Sequence, residues 1–228
     1  MLASPSSSLW LFDIDGTLVR RAGPHHRLAL VEAIRQVTGL ETTTDGIPVH
    51  GMLDPDILTR MLLAAGFDEA RIATAMPAII ETAQDVYQEG IPDLRDKQCP
   101  GIEQLLNDLQ ARGTVLALVT GNLTRIGWRK LERAGLHRYF RYGAFGEMAS
   151  TRGGLARLAI ERARREGLIV AASPISLVGD APQDVMAAKE NGIRSIAVRT
   201  GITPAGELEG CQPDLIFDDL TMLDRAIL

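Results

Sequence analysis

Lysine is nearly absent from this chain: Lys97, Lys130 and Lys189 are the only three, and arginine carries most of the positive charge. Any chemistry that demands a lysine in a given stretch is therefore confined to those positions or excluded. Cysteine is as scarce. Cys99 and Cys211 stand far apart without metal-binding or redox spacing, which fits two reduced thiols better than a disulfide framework. Positive charge is not in excess either. A net charge of -5 gives no reason to expect a nucleic acid as partner. The longest apolar runs, such as TVLALVT (114–120), have the length of a strand and fall short of a membrane span. The opening MLASPSSS lacks the basic and apolar segments of a secretory leader, so the expectation is a soluble, cytoplasmic protein with no membrane partner. Oligomeric state is not legible.

What is present is ordinary for a globular chain: 228 residues with a hydrophobic fraction of 46%, enough for one good-sized domain with or without an insert. Strand-like apolar runs appear at 8–14, 114–120, 175–180, 195–200 and 214–219. Helix-period segments alternate with most of them, at 102–113, 123–135, 154–167 and 182–192, and several end in glycine. Strands apolar on both faces that alternate with helices predict an α/β fold, a doubly wound parallel sheet of Rossmann-like form covered on both sides. The interval after the first strand breaks the pattern. From 19 to 98 there is no convincing strand but three helical patterns, at 25–39, 54–66 and 68–90. A simple crossover needs far fewer residues, so 19–98 is expected to be an inserted helical domain, and 1–18 with 99–228 the core.

The first strand ends in an unusual way. WLFDIDGTLV (10–19) is a core strand interrupted by Asp13 and Asp15, which share one face because side chains alternate along a strand. Adjacent carboxylates repel unless a cation lies between them. Gly16 permits a sharp turn with backbone N–H groups facing an anion. In open parallel sheets ligands bind at the carboxyl ends of the strands, where this motif falls. Two other strand ends match it: Thr120-Gly121-Asn122 after the second, and Gly179-Asp180, with Asp184 four residues on, after a later one. A hard cation such as Mg²⁺ takes oxygen ligands, and Asp13, the Asp15 carbonyl and Asp180 are suited to supply them.

DIDGT, a strand-final TGN and GDAPQD, in that order, resemble the signature of the haloacid dehalogenase-like hydrolase superfamily. The likeness spans essentially the whole chain, because the helical insert matches that family's C1-type cap, and it is greatest to the phosphoglycolate phosphatase-like and phosphoglucomutase-like branch. HGMLDPDIL (50–58) resembles a cap segment of that branch, with Leu53 where threonine is usual. The resemblance implies an aspartyl-phosphate mechanism on a small phosphorylated metabolite with Mg²⁺ as cofactor. Asp13 would be the nucleophile and Asp15 the general acid/base. Gly16, Thr17, Thr120, Gly121 and Asn122 would hold phosphate oxygens. Asp180 would be a metal ligand alongside Asp13 and Asp15, with Asp184 a ligand or its support. The family's third motif is normally a lysine, and none lies between Lys130 and Lys189. Arg152 in STRGGL (150–155) stands at about that place, with Arg157 the second choice.

Other residues carry two readings each. Asp54 either caps its helix, with Pro55 in the first turn, or touches substrate from the cap. His25 and His26 head a helix near the hinge of the insert; one reading has one of them reach substrate, and the other, which is the expectation, leaves both on the solvated surface. Trp128 and Tyr139 are expected to pack, and both cysteines to be unreactive. Retained Asp15 favours a phosphatase. A sugar phosphomutase shares Asp13 and Asp15, and a catalytically inactive binding protein of the same fold is the remaining alternative. Schiff-base chemistry from the cap is disfavoured, because 19–96 contains no lysine.

Overall fold

A computed structural model describes residues 8–223. MLASPSS, on which most of the leader reading rests, lies outside them. The sheet has six parallel strands: β1 (Leu9–Phe12), β2 (Val115–Val119), β3 (Tyr142–Ala144), β4 (Ile175–Gly179), β5 (Arg194–Val198) and β6 (Leu215–Phe217). Their order is β3-β2-β1-β4-β5-β6, so β1 is central, with Leu9 in register with Val115 on one side and Ile175 on the other. The order reverses between β1 and β4, which opens a crevice at their carboxyl ends. Asp13 and Asp180 leave the sheet there.

Eight helices accompany the sheet: α1 (His25–Thr38), α2 (Asp54–Ala64), α3 (Glu69–Gly90), α4 (Ile102–Ala111), α5 (Thr124–Ala134), α6 (Arg152–Arg165), α7 (Pro182–Glu190) and α8 (Ala205–Gly210). The alternation of β1 explains the layers. Leu9 and Leu11 pack with Leu155, Ala159 and Ala188 of α6 and α7. Trp10 and Phe12 face the other way, toward Leu106 of α4 and Ile126 of α5. That second apolar cluster continues into Leu30, Ile34, Leu58 and Ile79 of α1–α3, so the inserted helices share a core with one face of the sheet. No helix among the described residues is long and apolar enough to cross a membrane.

The expected elements are present with small shifts at their ends, and two were not anticipated. β3 has only three residues, too few for a period to register. Its Gly143 is required because a Cβ there would come within 2.7 Å of the Phe145 ring. α8, sequence AGELEG, is six residues long and carries two glycines, poor helix formers.

The two ends of the 19–98 segment meet side by side. Val19 bridges Gln98 antiparallel, the Arg20 N–H donates to the Lys97 carbonyl at 2.8 Å, and the Cys99 N–H donates to the Leu18 carbonyl at 3.0 Å. At its far side the segment grips the start of α5. The Leu123 N–H donates to Asp54 Oδ2 and the Arg125 N–H to Gln84 Oε1, each at 2.8 Å. The Arg125 guanidinium pairs with Glu81 and Asp85 of α3. Donors that every helix leaves unpaired in its first turn are thus met by side chains of α2 and α3.

Candidate active site

Under α1–α3 and above the carboxyl ends of β1, β2 and β4 lies a cavity of about 430 Å³. Asp13, Asp15, Asn122, Arg152 and Asp180 reach its wall, joined by Lys130, and Asp54 and Gly121 line it too. Gly16, Thr17, Thr120 and Asp184 stand behind that wall. Gly16 makes the turn, with φ +84°, and its missing side chain leaves room for Asp180: a Cβ there would fall 2.2 Å from Asp180 Oδ2. Thr17 is fully buried and donates to Asp180 Oδ1 at 3.4 Å. Thr120, also fully buried, accepts from the Asn122 amide at 2.7 Å. Arg157 is exposed on the outer side of α6 and takes no part.

One side of the floor is acidic. Carboxylate oxygens of Asp13, Asp180 and Asp184 all lie within 4.8 Å of one another, and the three residues are buried. Arg152, the first residue of α6, donates from Nη1 to Asp13 Oδ1 at 3.1 Å and brings Nε to 3.4 Å from Asp184 Oδ1. Its helix start is fixed by Thr151, which accepts from the Gly154 N–H. Burial, then the neighbouring carboxylates, push Asp180 above the usual carboxylate range, and burial pushes Asp184 up against the opposing pull of Arg152. Asp180 Oδ2 and Asp184 Oδ1 are buried without any hydrogen-bond partner. With all groups ionised, three carboxylates and one guanidinium leave two negative charges. Orphaned oxygens and that charge fit one hard divalent cation.

On the other side of the floor each polar side chain has a partner within the chain. Asp15 turns its carboxylate away from this cluster and toward Lys130 of α5, whose Nζ lies 2.7 Å from Oδ1 and 2.5 Å from Oδ2. Asn122 donates to Asp15 Oδ2 at 2.8 Å and accepts from Lys130 at 2.6 Å. His26 accepts from Lys130 through Nδ1 at 3.1 Å and meets Asp54 Oδ2 through Nε2 at 2.8 Å. Burial raises the Asp15 pKa, but the charge and hydrogen bond of Lys130, with the hydrogen bond of Asn122, outweigh it and hold the carboxyl below its ordinary value.

Three expectations change here. His26 is not a solvated surface group: with Ala29, Leu30 and Ala33 it forms the inner face of α1, one helical turn apart. Asp54 does not cap its own helix. Leu53 occupies that position, and the Asp54 carboxylate instead accepts from the N–H of Leu123, the residue that precedes α5. A lysine does reach the site, from α5 rather than from the stretch before β4. Its signal was in the sequence, because Lys130 falls among Ile126, Gly127, Leu131 and Ala134 on the buried face of α5. Cys99 meets its expectation: it is buried, and burial pushes its thiol up to about 12.

The model of the haloacid dehalogenase-like hydrolases matches residues 9–192. The chain belongs to that family. It is 29% identical to a phosphoglycolate phosphatase of Agrobacterium fabrum (strain C58), over 100% of this chain and 95% of that protein. Among solved structures, β-phosphoglucomutase from Clostridium difficile shares the fold with a TM-score of 0.70 at 18% identity, over 96% of this chain and 94% of that one. CbbY from Rhodobacter sphaeroides, solved in complex with phosphate, shares it with a TM-score of 0.68 at 22% identity, over 95% and 96%. The chain is thus a hydrolase of a fold on which phosphatases are frequent, and its own cavity must supply the finer reading.

Proposed function

We propose that this protein is a divalent-metal-dependent phosphatase that hydrolyses small phosphomonoesters through an aspartyl-phosphate on Asp13. The observation that carries the reading is the division between two carboxylates from one turn. Asp13 joins the orphaned acidic cluster, while Asp15 is held apart by Lys130 and Asn122. Two identical groups in such different surroundings suit two different tasks.

In this reading Asp13 attacks phosphorus and the bond from phosphorus to the ester oxygen breaks. Asp15, which takes up a proton as the anionic ester binds, gives that proton to the departing alkoxide. Water then attacks phosphorus, Asp15 takes that water's proton, and the bond to Asp13 breaks to release phosphate. Asp13, Asp180 and Asp184 would hold Mg²⁺, with the Asp15 carbonyl as a further oxygen donor. The metal supplies charge neutralisation for the phosphoryl group. Arg152 takes the part of the family's lysine by offsetting the charge of Asp13 beside it. Gly121 and Asn122 present donors to phosphate oxygens from the end of β2. Residues 19–98 act as a cap, hinged where Val19 meets Gln98, whose closure excludes bulk water while Asp13 attacks and whose opening admits the water that hydrolyses the phosphoenzyme.

Hydrolysis of p-nitrophenyl phosphate is the direct test. We expect Mg²⁺-dependent turnover that EDTA abolishes and that Asp13→Asn lowers by about three orders of magnitude or more. Turnover that survives EDTA, or full activity in Asp13→Asn, overturns the proposal. Phosphoglycolate, the substrate in the name of the Agrobacterium relative, is the first natural ester to try.

A further inference from the structure

Lys130 is 1% exposed, the most buried cation of the described chain, and nothing in the chemistry above requires it. Its ammonium has three hydrogens for the four acceptor atoms around it, Asn122 Oδ1, His26 Nδ1 and both oxygens of Asp15, which share one hydrogen between them. These contacts fix the protons of the whole group. His26 accepts at Nδ1, so its proton sits on Nε2 and is donated to Asp54 Oδ2. Asp54 Oδ2 also accepts from the Leu123 N–H at the start of α5. The Asn122 amide accepts from Lys130 and donates to Asp15 Oδ2 and Thr120 Oγ1.

Counting lone pairs on Asp15 gives a sharper result. Oδ2 accepts from both Lys130 and Asn122, which fills its two lone pairs. Oδ1 accepts from Lys130 alone. The clamp therefore leaves one lone pair, on Oδ1, to carry a proton at the cavity. The members of the chain also come from both sides of the cavity. Asp15, Asn122 and Lys130 belong to the sheet side, His26 to α1 and Asp54 to α2.

We propose that Lys130 is the positioning residue of Asp15: it aims the Oδ1 lone pair at the leaving group, and through His26 and Asp54 it ties that aim to the helices covering the cavity. The inference rests on the reading of Asp15 as the proton carrier. Its effect is confined to steps in which a proton moves, and this separates it from a residue that merely holds the fold together. Attack by Asp13 on an ester whose leaving group departs as a stable anion needs no proton. An alkyl ester does need one, and so does attack by water on the phosphoenzyme.

The experiment compares wild type with Lys130→Met by rapid mixing with p-nitrophenyl phosphate and, separately, with phosphoglycolate. We expect Lys130→Met to release about one equivalent of p-nitrophenolate in a burst at close to the wild-type rate, then turn over about 100-fold more slowly. Its single-turnover rate with phosphoglycolate falls by a similar factor. An equal loss in the first step for both esters, or no loss for either, overturns the inference. His26→Asn removes only one of the four acceptor atoms around Lys130, from a partly exposed site, and it carries the same test should Lys130→Met not fold. It is expected to keep the burst and lose several-fold in steady state. Unchanged turnover there breaks the link to α1. If the wild type itself turns over no phosphomonoester, the proposed function fails instead, so the two failures are told apart.

Discussion

The two sides of the cavity floor differ in how completely the chain itself satisfies them. In the cluster of Asp13, Asp180 and Asp184, two buried oxygens lack hydrogen-bond partners, and the Asp180 and Asp184 carboxyls sit above their usual range. Around Asp15 the protein gives each carboxylate oxygen a partner and leaves one lone pair open to the cavity, and the carboxyl sits below its usual range. The Asp15 side chain is 46% exposed against 1% and 2% for Asp180 and Asp184, so burial differs between the two sides. Burial only raises a carboxyl, however, and does not by itself hold Asp15 below its ordinary value. A buried ammonium on that side does, where the other side has only a shared guanidinium. The first side is built to be completed by something from outside the chain, and the second is organised in advance.

The sharpest way to break this contrast is to titrate Mg²⁺ and read thermal stability. A ligand that binds only the folded state stabilises it by about 2.7 kcal/mol at 100 times its Kd, roughly 5–10 °C in Tm for a chain of this size. Wild type and Lys130→Met should both show that rise, and Asp180→Asn should lose it. A rise that vanishes in Lys130→Met would mean the two sides are one unit. The next effect in size is Arg152→Lys. It keeps the charge but gives up a fork that reaches Asp13 and Asp184 together, so kcat is expected to fall about 10- to 100-fold. Steady-state kinetics at saturating Mg²⁺ check this, and equal activity would mean that charge alone is enough on the acidic side.

Legibility in the sequence follows the same division. The strands and helices were readable because both-face apolar runs and 3.6-residue periods persist over many residues, as in Leu9–Phe12 and Thr124–Ala134. Tyr142–Ala144 was not, since three residues carry no period. The acidic side was readable because Asp13, Asp180 and Asp184 sit just beyond strand ends, where topology alone brings them together. Arg152 was found by its place in the chain order, once the scarcity of lysine excluded the usual residue. Lys130, His26 and the true partner of Asp54 were missed because they depend on how helices face one another across the cavity. A charged residue on an apolar helical face is the trace this leaves in a sequence. Lys130 between Ile126 and Leu131 has it, and so has His26 before Leu30.

The smallest expected effect sharpens the contrast most, because it touches the organised side at its edge. Asp54 lies in α2, yet its carboxylate satisfies the N–H of Leu123, the residue that precedes α5, and orients His26, and it is 2% exposed. Asp54→Asn keeps an oxygen for the Leu123 N–H but loses the charge that favours both the helix start and the His26 donor. The cost is about 1–2 kcal/mol, read as a Tm lower by roughly 2–8 °C. Because Lys130 still holds Asp15 directly, kcat should fall by no more than several-fold, less than in Arg152→Lys. A larger loss in Asp54→Asn, with Tm unchanged, would relocate the decisive contact from Lys130 to the α2–α5 junction. It would make closure of the helices, rather than the clamp on Asp15, the event that organises this side of the floor.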